Sequence, residues 1–200
     1  SRGLGDVYKR QLLLCTELDL CYTISERRSN LRRWHNITWV TLFDSACAYY
    51  YALAGQTEQI PELFREHRLS TVNFLAPGRP MMEMIENQVY LAQGAYTKVV
   101  GRSEQLLAIC ENMHYALVAL HIRIQTAAAC EQLGKSREAR EFLRTAVADA
   151  LQDQFYLPFA ENYGYMPKLL EQEIRTSEAK TAVFLEKVAE LGKTCQRRYA

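Results

Sequence analysis

Three glycines divide the middle of this sequence into segments of nearly equal length. Gly55, Gly94 and Gly134 are separated by 39 and 40 residues. Each glycine follows a long stretch with apolar residues at helical spacing and precedes a shorter amphipathic stretch. Glycine often ends an α-helix because it adopts the left-handed backbone conformation without steric strain. The spacing therefore predicts successive antiparallel helix pairs with a period of about 40 residues.

The residues around the third glycine predict how the two helices of a pair pack. Ala139, Leu143 and Ala146 fall on one helical face after Gly134, with a small residue on either side of a large one. Ala127 lies seven residues before the glycine, on the inner face of the preceding helix. Small residues let two helix backbones approach closely, and the leucine fills the space between them.

The first two segments follow this pattern to different extents. Ile60 and Phe64 repeat the interior positions of the second helix after the first glycine. Val99 does so after the second glycine, but Asn87 and Ser103 place polar groups at positions that are apolar in the other segments. The second segment is therefore the weakest match to the predicted repeat.

No other fold class competes with helices. Residues 37–42 are the only β-prone stretch, and they lead directly into alanine-rich sequence. We predict an all-α fold, an α-solenoid of antiparallel helix pairs over residues 12–176. A final helix over residues 177–200 would act as a cap or as a linker to a further domain.

The first eleven residues differ from the rest of the chain. Residues 1–11 have little apolar periodicity and resemble translated adapter sequence. We therefore expect a non-native leader here and a true N-terminus that is missing.

Charge and composition argue against several classes of function. A net charge of +1 does not favour a dedicated nucleic-acid surface, which needs clustered basic residues. The apolar runs are far shorter than the about 20 residues of a membrane span. None of the six cysteines lies in a CxxC pair, so we expect no metal site and no cofactor. These features predict a cytoplasmic protein with buried thiols.

One stretch resembles a known helical repeat. Residues 129–146 fit the small–large–small pattern of the tetratricopeptide repeat (TPR), although the unit here exceeds the usual length of about 34 residues. Longer units occur in MalT-like, LuxR-type transcription regulators. Residues 58–66, 80–98 and 149–162 also resemble that family, and the last contains the sequence Tyr-Leu-Pro-Phe-Ala-Glu. The resemblance spans about residues 22–172.

The resemblance implies a sensor region within a larger regulator. In such regulators an ATP-binding module precedes the repeats, and a DNA-binding helix-turn-helix follows them. This chain has no GxxxxGK[ST] loop, so ATP would belong to the parent protein. DNA would likewise be bound only through a missing C-terminal domain. The expected partner of the repeats is a small-molecule inducer or a regulatory protein.

Five side chains are candidates for contact with that ligand or partner. Tyr49 and Tyr50 belong to a run of three tyrosines that point about 100° apart on a helix, so they cannot all lie in the core. Arg79 precedes a methionine-rich helix start. His121 and Arg123 flank apolar residues on a helix whose polar side chains would line the groove of a solenoid.

The sequence predicts no catalytic residues. None of the four histidines has a carboxylate at the spacing of a metal motif, and no GxSxG nucleophile turn occurs. We therefore expect a binding protein and not an enzyme. Two alternatives stay open, a TPR-type scaffold with only protein partners and a helical domain of an enzyme. A helix-turn-helix downstream favours the regulator over the scaffold. A strongly shifted buried Cys, His or Glu in a closed pocket favours the enzyme.

Overall fold

A computed structural model describes residues 37–72 and 76–199. Within these residues all regular structure is helical and no strand occurs, which confirms the predicted all-α class. The α-helices are α1 (Ile37–Leu53), α2 (Glu62–Arg65), α3 (Arg79–Ala92), α4 (Tyr96–Asn112), α5 (Ala116–Gln132), α6 (Ser136–Ala150), α7 (Leu157–Glu161), α8 (Pro167–Thr176) and α9 (Ala179–Tyr199). Short 3-10 turns cover Thr57–Gln59, Leu69–Thr71, Ala76–Gly78 and Tyr163–Tyr165. The predicted leader at 1–11 and the predicted repeat residues 12–36 lie outside the described residues.

Each of the three glycines follows the end of a long helix. Gly55, Gly94 and Gly134 follow α1, α3 and α5, and their φ angles are 67°, 73° and 73°. In all three turns the glycine amide donates to the carbonyl three residues earlier, and the next amide donates to the carbonyl five residues earlier. This pair of bonds satisfies carbonyls that the ending helix leaves open. The prediction that these glycines end helices is confirmed.

The second helix of each pair ends in a similar way without glycine. Helices α4 and α6, with 17 and 15 residues, are not shorter than the 14-residue α3, unlike the short second helices that the sequence predicts. His67, His114 and Gln154 follow α2, α4 and α6, with φ angles of 55°, 56° and 55°. The amide after each of them donates to the carbonyl five residues earlier. Left-handed backbone is strained for residues with a Cβ, so it is not expected at histidine or glutamine. Without a glycine, nothing in the sequence marks these three turns.

Helices α1, α3, α5 and the short α7 contact one another in chain order. Helix α1 packs on α3, α3 packs on α5, and α5 contacts α7. We call these four helices the first-helix row. Helix α4 packs on both α3 and α5, α6 packs on α5, and α9 packs on α7 and α8. The row is therefore covered by the helices that follow its members.

Equivalent positions around the glycines are buried in all three segments. The positions seven residues before the glycine and five and nine residues after it are at most 4% exposed: Ala48, Asn87, Ala127, Ile60, Val99, Ala139, Phe64, Ser103 and Leu143. Polar Asn87 and Ser103 thus occupy interior positions although the sequence pattern is interrupted there. Ser103 donates its hydroxyl to the carbonyl of Val100, at 2.8 Å.

Two helix starts differ from what the local sequence favours. The apolar pattern favours one helix over 57–67, but a 3-10 turn and the short α2 form instead, because Pro61 has no amide hydrogen and its ψ of 137° is extended. Serine is a favoured cap, but Ser136 is the first helical residue of α6, and Lys135 stands at the cap without a side-chain hydrogen bond.

Candidate functional site

Three buried amide side chains connect the helices of the first-helix row. Gln125 of α5 donates to the side-chain oxygen of Gln88 at 3.0 Å and to the carbonyl of Met84 at 3.1 Å, both on α3. Gln88 in turn donates to Asn162, directly after α7, at 3.1 Å. All three amides are 0% exposed. We call Gln88, Gln125 and Asn162 the amide chain, and it ties α3, α5 and α7 together.

A tyrosine and a glutamate join the two ends of the row. The Tyr49 hydroxyl of α1 donates to Oε2 of Glu161, the last residue of α7, at 2.6 Å. The two residues are 112 positions apart in the sequence. Tyr49 is 5% exposed, whereas Glu161 is partly exposed. His121 of α5 stands edge-on to the Tyr49 ring, with 6.3 Å between ring centroids. We call Tyr49, His121 and Glu161 the acid site.

The acid site has no positive charge among the described residues. Burial raises the pKa of Glu161 to about 7, and the hydrogen bond from Tyr49 acts in the opposite direction. Burial lowers the pKa of His121 to about 4, so this imidazole is neutral at pH 7. No lysine or arginine in the described part of the chain pairs with Glu161. Within residues 37–72 and 76–199, the Glu161 carboxylate therefore forms without a counter-ion.

A second polar cluster lies between α3 and α4 and does contain cations. Glu86 of α3 is 5% exposed, and Arg102 of α4 pairs with it. Arg102 also pairs with Glu83 at 3.0 Å, and Arg79 pairs with Glu83 at 2.7 Å. We call these four residues the outer ion network. Because each carboxylate has an arginine, the network holds two helices together without an unbalanced charge.

An aromatic stack extends the outer ion network to the turn after α2. The His67 ring stacks on the Tyr90 ring with 3.9 Å between centroids, and Arg102 lies 5.5 Å from the Tyr90 centroid. Burial raises the pKa of Tyr90, and the charge of Glu86 acts in the same direction. The stack fixes the α2 turn against α3 and α4.

The structure brings together two of the five predicted site residues. Tyr49 and His121 meet in the acid site. Tyr50 is partly buried and contacts Tyr51 edge-to-face, at 5.4 Å between centroids, so it points elsewhere. Of the three tyrosines, Tyr49 is the buried one.

The two predicted arginines lie apart from the acid site. Arg79 is exposed at the start of α3 and pairs with Glu83. Arg123 pairs with Asp149 of α6, at 2.7 Å, and so links α5 to α6. Both side chains pair with carboxylates near the surface. Their proposed contact with a ligand stays a prediction.

The sequence did not indicate the partners of Tyr49 and His121. Glu161 and Asn162 lie within the stretch that carries the family resemblance, but nothing in their spacing indicates a site. Gln88 and Gln125 stand at different distances from their glycines, six and nine residues. Aligning the segments at their glycines therefore does not place Gln88 and Gln125 at the same position.

A groove of about 370 Å³ opens between α6, α8 and α9. Leu143 and Leu185 contribute to its apolar floor, and Arg144 and Glu173 lie at its edge. Glu173 is 1% exposed and pairs with Arg140 at 2.9 Å and with Arg144 at 2.7 Å. These pairs join α6 to α8.

Metal and thiol chemistry receive no support from the described part of the chain. No group of three or more His, Cys, Asp and Glu side chains there is placed to hold a metal ion. Burial raises the pKa of Cys130 to about 11 and also raises that of Cys110. Both thiols therefore stay protonated near neutral pH. Among residues 37–72 and 76–199, no helix is both long and apolar enough to cross a membrane.

Comparison with protein-family models, with curated proteins and with solved structures finds no match to this chain.

Proposed function

We propose that this chain is a TPR-like helical-repeat domain that senses a ligand or a partner protein. It would be the sensor region of a LuxR-type, MalT-like transcription regulator. One observation carries the proposal. Three long helices end on left-handed glycines at nearly equal spacing, and the same helices contact one another in chain order. Neighbouring pairs in such a row bury a shared core, as they do in a solenoid. The row departs from a straight stack, because Tyr49 of α1 also contacts His121 of α5 and Glu161 of α7.

The polar first-helix row supports binding as the activity. Solenoids bind through the surface that successive first helices share. Here that row holds the partly exposed Glu161 of the acid site, bonded to Tyr49 at a separation of 112 residues. The buried amide chain holds the same helices together beneath it. A ligand that contacts several helices at once favours one arrangement of the row over another. The change in population then alters contacts elsewhere in the parent protein.

The enzyme alternative receives weaker support. Glu161 and His121 have shifted pKa values, which is common at active sites. Burial is the largest cause of both shifts. Neither residue lines the groove between α6, α8 and α9. A binding role needs only the carboxylate and its surroundings, whereas catalysis also needs a nucleophile or a bound cofactor beside it.

Spin-label distances test the stacked arrangement. Gln56, Ala95 and Lys135 each follow one of the three glycines, so nitroxides there mark the same point of each pair. Neighbouring helices pack about 10 Å apart. The labels are attached to a chain whose native cysteines are replaced. We expect strong dipolar broadening for labels at 56 and 95 and for labels at 95 and 135, and a longer distance between labels at 56 and 135. An outer distance shorter than either neighbouring one excludes the solenoid.

Calorimetry and genomic sequence test the sensor role. Titration of the full chain with mono-, di- and trisaccharides is expected to give saturable heat for one of them. Sequencing the DNA that follows the codon of Ala200 is expected to reveal a helix-turn-helix. A reading frame without that domain supports the scaffold, a repeat domain with only protein partners.

A further inference from the structure

Glu161 differs in its partners from the two buried glutamates, Glu86 and Glu173. Glu86 pairs with Arg102, and Glu173 pairs with Arg140 and Arg144. Among the described residues, Glu161 accepts one side-chain hydrogen bond, from the Tyr49 hydroxyl. A neutral hydroxyl offsets much less of a carboxylate's desolvation than a guanidinium does. The described part of the fold thus supplies cations to Glu86 and Glu173 and none to Glu161.

One oxygen of Glu161 accepts no side-chain hydrogen bond from the described residues. Tyr49 donates to Oε2, and no described side chain donates to Oε1. The residue is partly exposed, so the site has some contact with solvent. His121, which stands edge-on to the Tyr49 ring, is uncharged near neutral pH. The vicinity therefore suits a positively charged group better than a neutral one.

We propose that the acid site binds a cationic group, a primary ammonium or a guanidinium, through the Glu161 carboxylate. The group belongs either to a small amine or to a lysine or arginine side chain of a partner protein. This inference rests on the proposed sensor function and names the chemistry of its ligand.

Among residues 37–72 and 76–199, no charged side chain is seen to pair with Glu161. Phe184 of α9 packs edge-to-face on Phe159 of α7, with 5.6 Å between centroids. The charged side chains of α9 between 180 and 197 are all exposed. Asp44, the one charged side chain of α1, lies about 140° around the helix from Tyr49.

The neighbours on the other elements around α7 are neutral. Helix α5 contributes His121, which is uncharged near neutral pH, and α3 contributes the Gln88 amide. The turn after α7 contributes Tyr163 and Tyr165, and burial raises the pKa of Tyr165 to about 12. Glu161 is thus the group whose charge changes near pH 7.

Binding must strengthen as the carboxylate ionises. With a pKa of about 7, Glu161 is mostly protonated at pH 6 and mostly ionised at pH 8. The ionised fraction rises roughly tenfold over that interval. An alkylammonium stays charged throughout, so affinity follows Glu161 alone.

The test titrates the full chain with butylammonium chloride, followed by ¹H–¹⁵N NMR, at pH 6 and pH 8. We expect binding about tenfold tighter at pH 8. Glu161→Gln is expected to weaken binding at pH 8 at least about tenfold, because it keeps the shape and removes the charge. Glu171→Gln, an exposed position on α8, serves as the matched control and leaves binding unchanged. Butanol, which has the same chain without the charge, is expected not to bind.

A second variant keeps the inference testable if Glu161→Gln fails to fold. Tyr49→Phe removes the hydrogen bond that lowers the Glu161 pKa, so the pH midpoint of butylammonium binding should move upward. Parallel titrations with N-acetyl-arginine amide and with a trilysine peptide separate the two sources of the cation. Tighter binding of the peptide points to a protein partner.

Three results overturn the inference: no binding of any cationic probe, binding that Glu161→Gln leaves intact, or binding equal at pH 6 and pH 8. If saccharides bind while every cationic probe fails, the sensor function stands and this inference falls. If cationic probes bind through Glu161 and saccharides do not, the inference stands.

Discussion

The outer ion network and the acid site each contain a desolvated glutamate, but the two glutamates have opposite kinds of partner. Glu86 has a cationic partner, and Glu161 has a neutral one. In the outer network, Glu86 is 5% exposed and pairs with Arg102 across α3 and α4. In the acid site, Glu161 receives one hydroxyl from Tyr49 and no cation from the described residues. Both carboxylates lie between helices of the same fold. Their difference separates a group whose contacts are complete from one that still needs a partner.

This difference indicates where the molecule uses charge for stability and where for binding. A paired buried carboxylate fixes the geometry of two helices, and its loss leaves the partner charge uncompensated. A desolvated carboxylate without a cationic partner destabilises the isolated fold. A protein tolerates such a carboxylate where a ligand later supplies the positive charge. Four substitutions test this distinction, in descending order of expected effect.

The largest effect is expected from Arg102→Met. It leaves Glu86 buried without its main cation, and such a loss costs about 3 kcal/mol of unfolding free energy. Urea unfolding at pH 7 measures it. Arg79→Met, in the same network but 53% exposed, is the matched control and should cost less than about 0.5 kcal/mol. Equal effects of the two variants would remove the contrast between buried and exposed pairs.

The second effect has the opposite sign and depends on pH. Folding raises the pKa of Glu161 from an ordinary 4.5 to about 7, so the folded state binds more protons between these values. Wild-type stability therefore falls as pH rises through that window. The full shift corresponds to about 3.4 kcal/mol, and solvent screening at this partly exposed residue reduces that value. Glu161→Gln has no such loss and should therefore exceed wild type by about 2 kcal/mol at pH 8, with little difference at pH 4.5.

The measurement for Glu161→Gln is urea unfolding of both proteins at several pH values. His121 contributes a pH dependence of its own, because its folded pKa of about 4 lies below its ordinary 6.5. Protonation of His121 lowers the stability of both proteins as pH falls from 6.5 to 4. This contribution therefore cancels when the unfolding free energy of wild type is subtracted from that of Glu161→Gln. A difference that does not change with pH would mean that Glu161 is not desolvated by folding.

A smaller loss is expected from Arg144→Met. Glu173 is buried, but Arg140 also pairs with it at 2.9 Å and keeps its charge compensated. The cost should be about 1 kcal/mol. The double substitution of both arginines should cost more than the sum of the single ones, because only it leaves Glu173 unpaired. Additive losses, measured by thermal and urea unfolding, would contradict shared compensation.

The smallest effect is expected from Arg123→Met. Its pair with Asp149 joins α5 to α6, but the two side chains are 28% and 45% exposed. Water screens such a pair, so the change should stay within about 0.5 kcal/mol. Circular dichroism melting measures it. A loss comparable to that of Arg102→Met would show that exposure does not decide the value of these pairs.

The sequence predicted those parts of the fold that local spacing determines. The glycine positions and the helices before them follow from backbone conformation and apolar periodicity, which are properties of neighbouring residues. Pro61 shows the limit of periodicity, because one missing amide prevents a helix that the apolar pattern favours. The turns at His67, His114 and Gln154 were not predicted, because they contain no glycine and their residue types do not indicate a left-handed conformation.

The candidate site was predicted only in part because its members meet through tertiary packing. Tyr49 and His121 were selected from helix-surface arguments, and they do lie side by side. Their acidic partner lies 112 residues from Tyr49, where no spacing rule reaches. Nothing in the composition around Glu161 distinguishes it from a glutamate that an arginine neutralises.

Nuclear magnetic resonance titration of the Glu161 carboxyl carbon tests the central claim most directly. The claim is that folding places this carboxylate among neutral groups without a cation. The carbon shift should then change with a midpoint near pH 7. A midpoint near the ordinary value of 4.5 would mean that solvent or a cation already balances its charge, and the acid site would lose its basis.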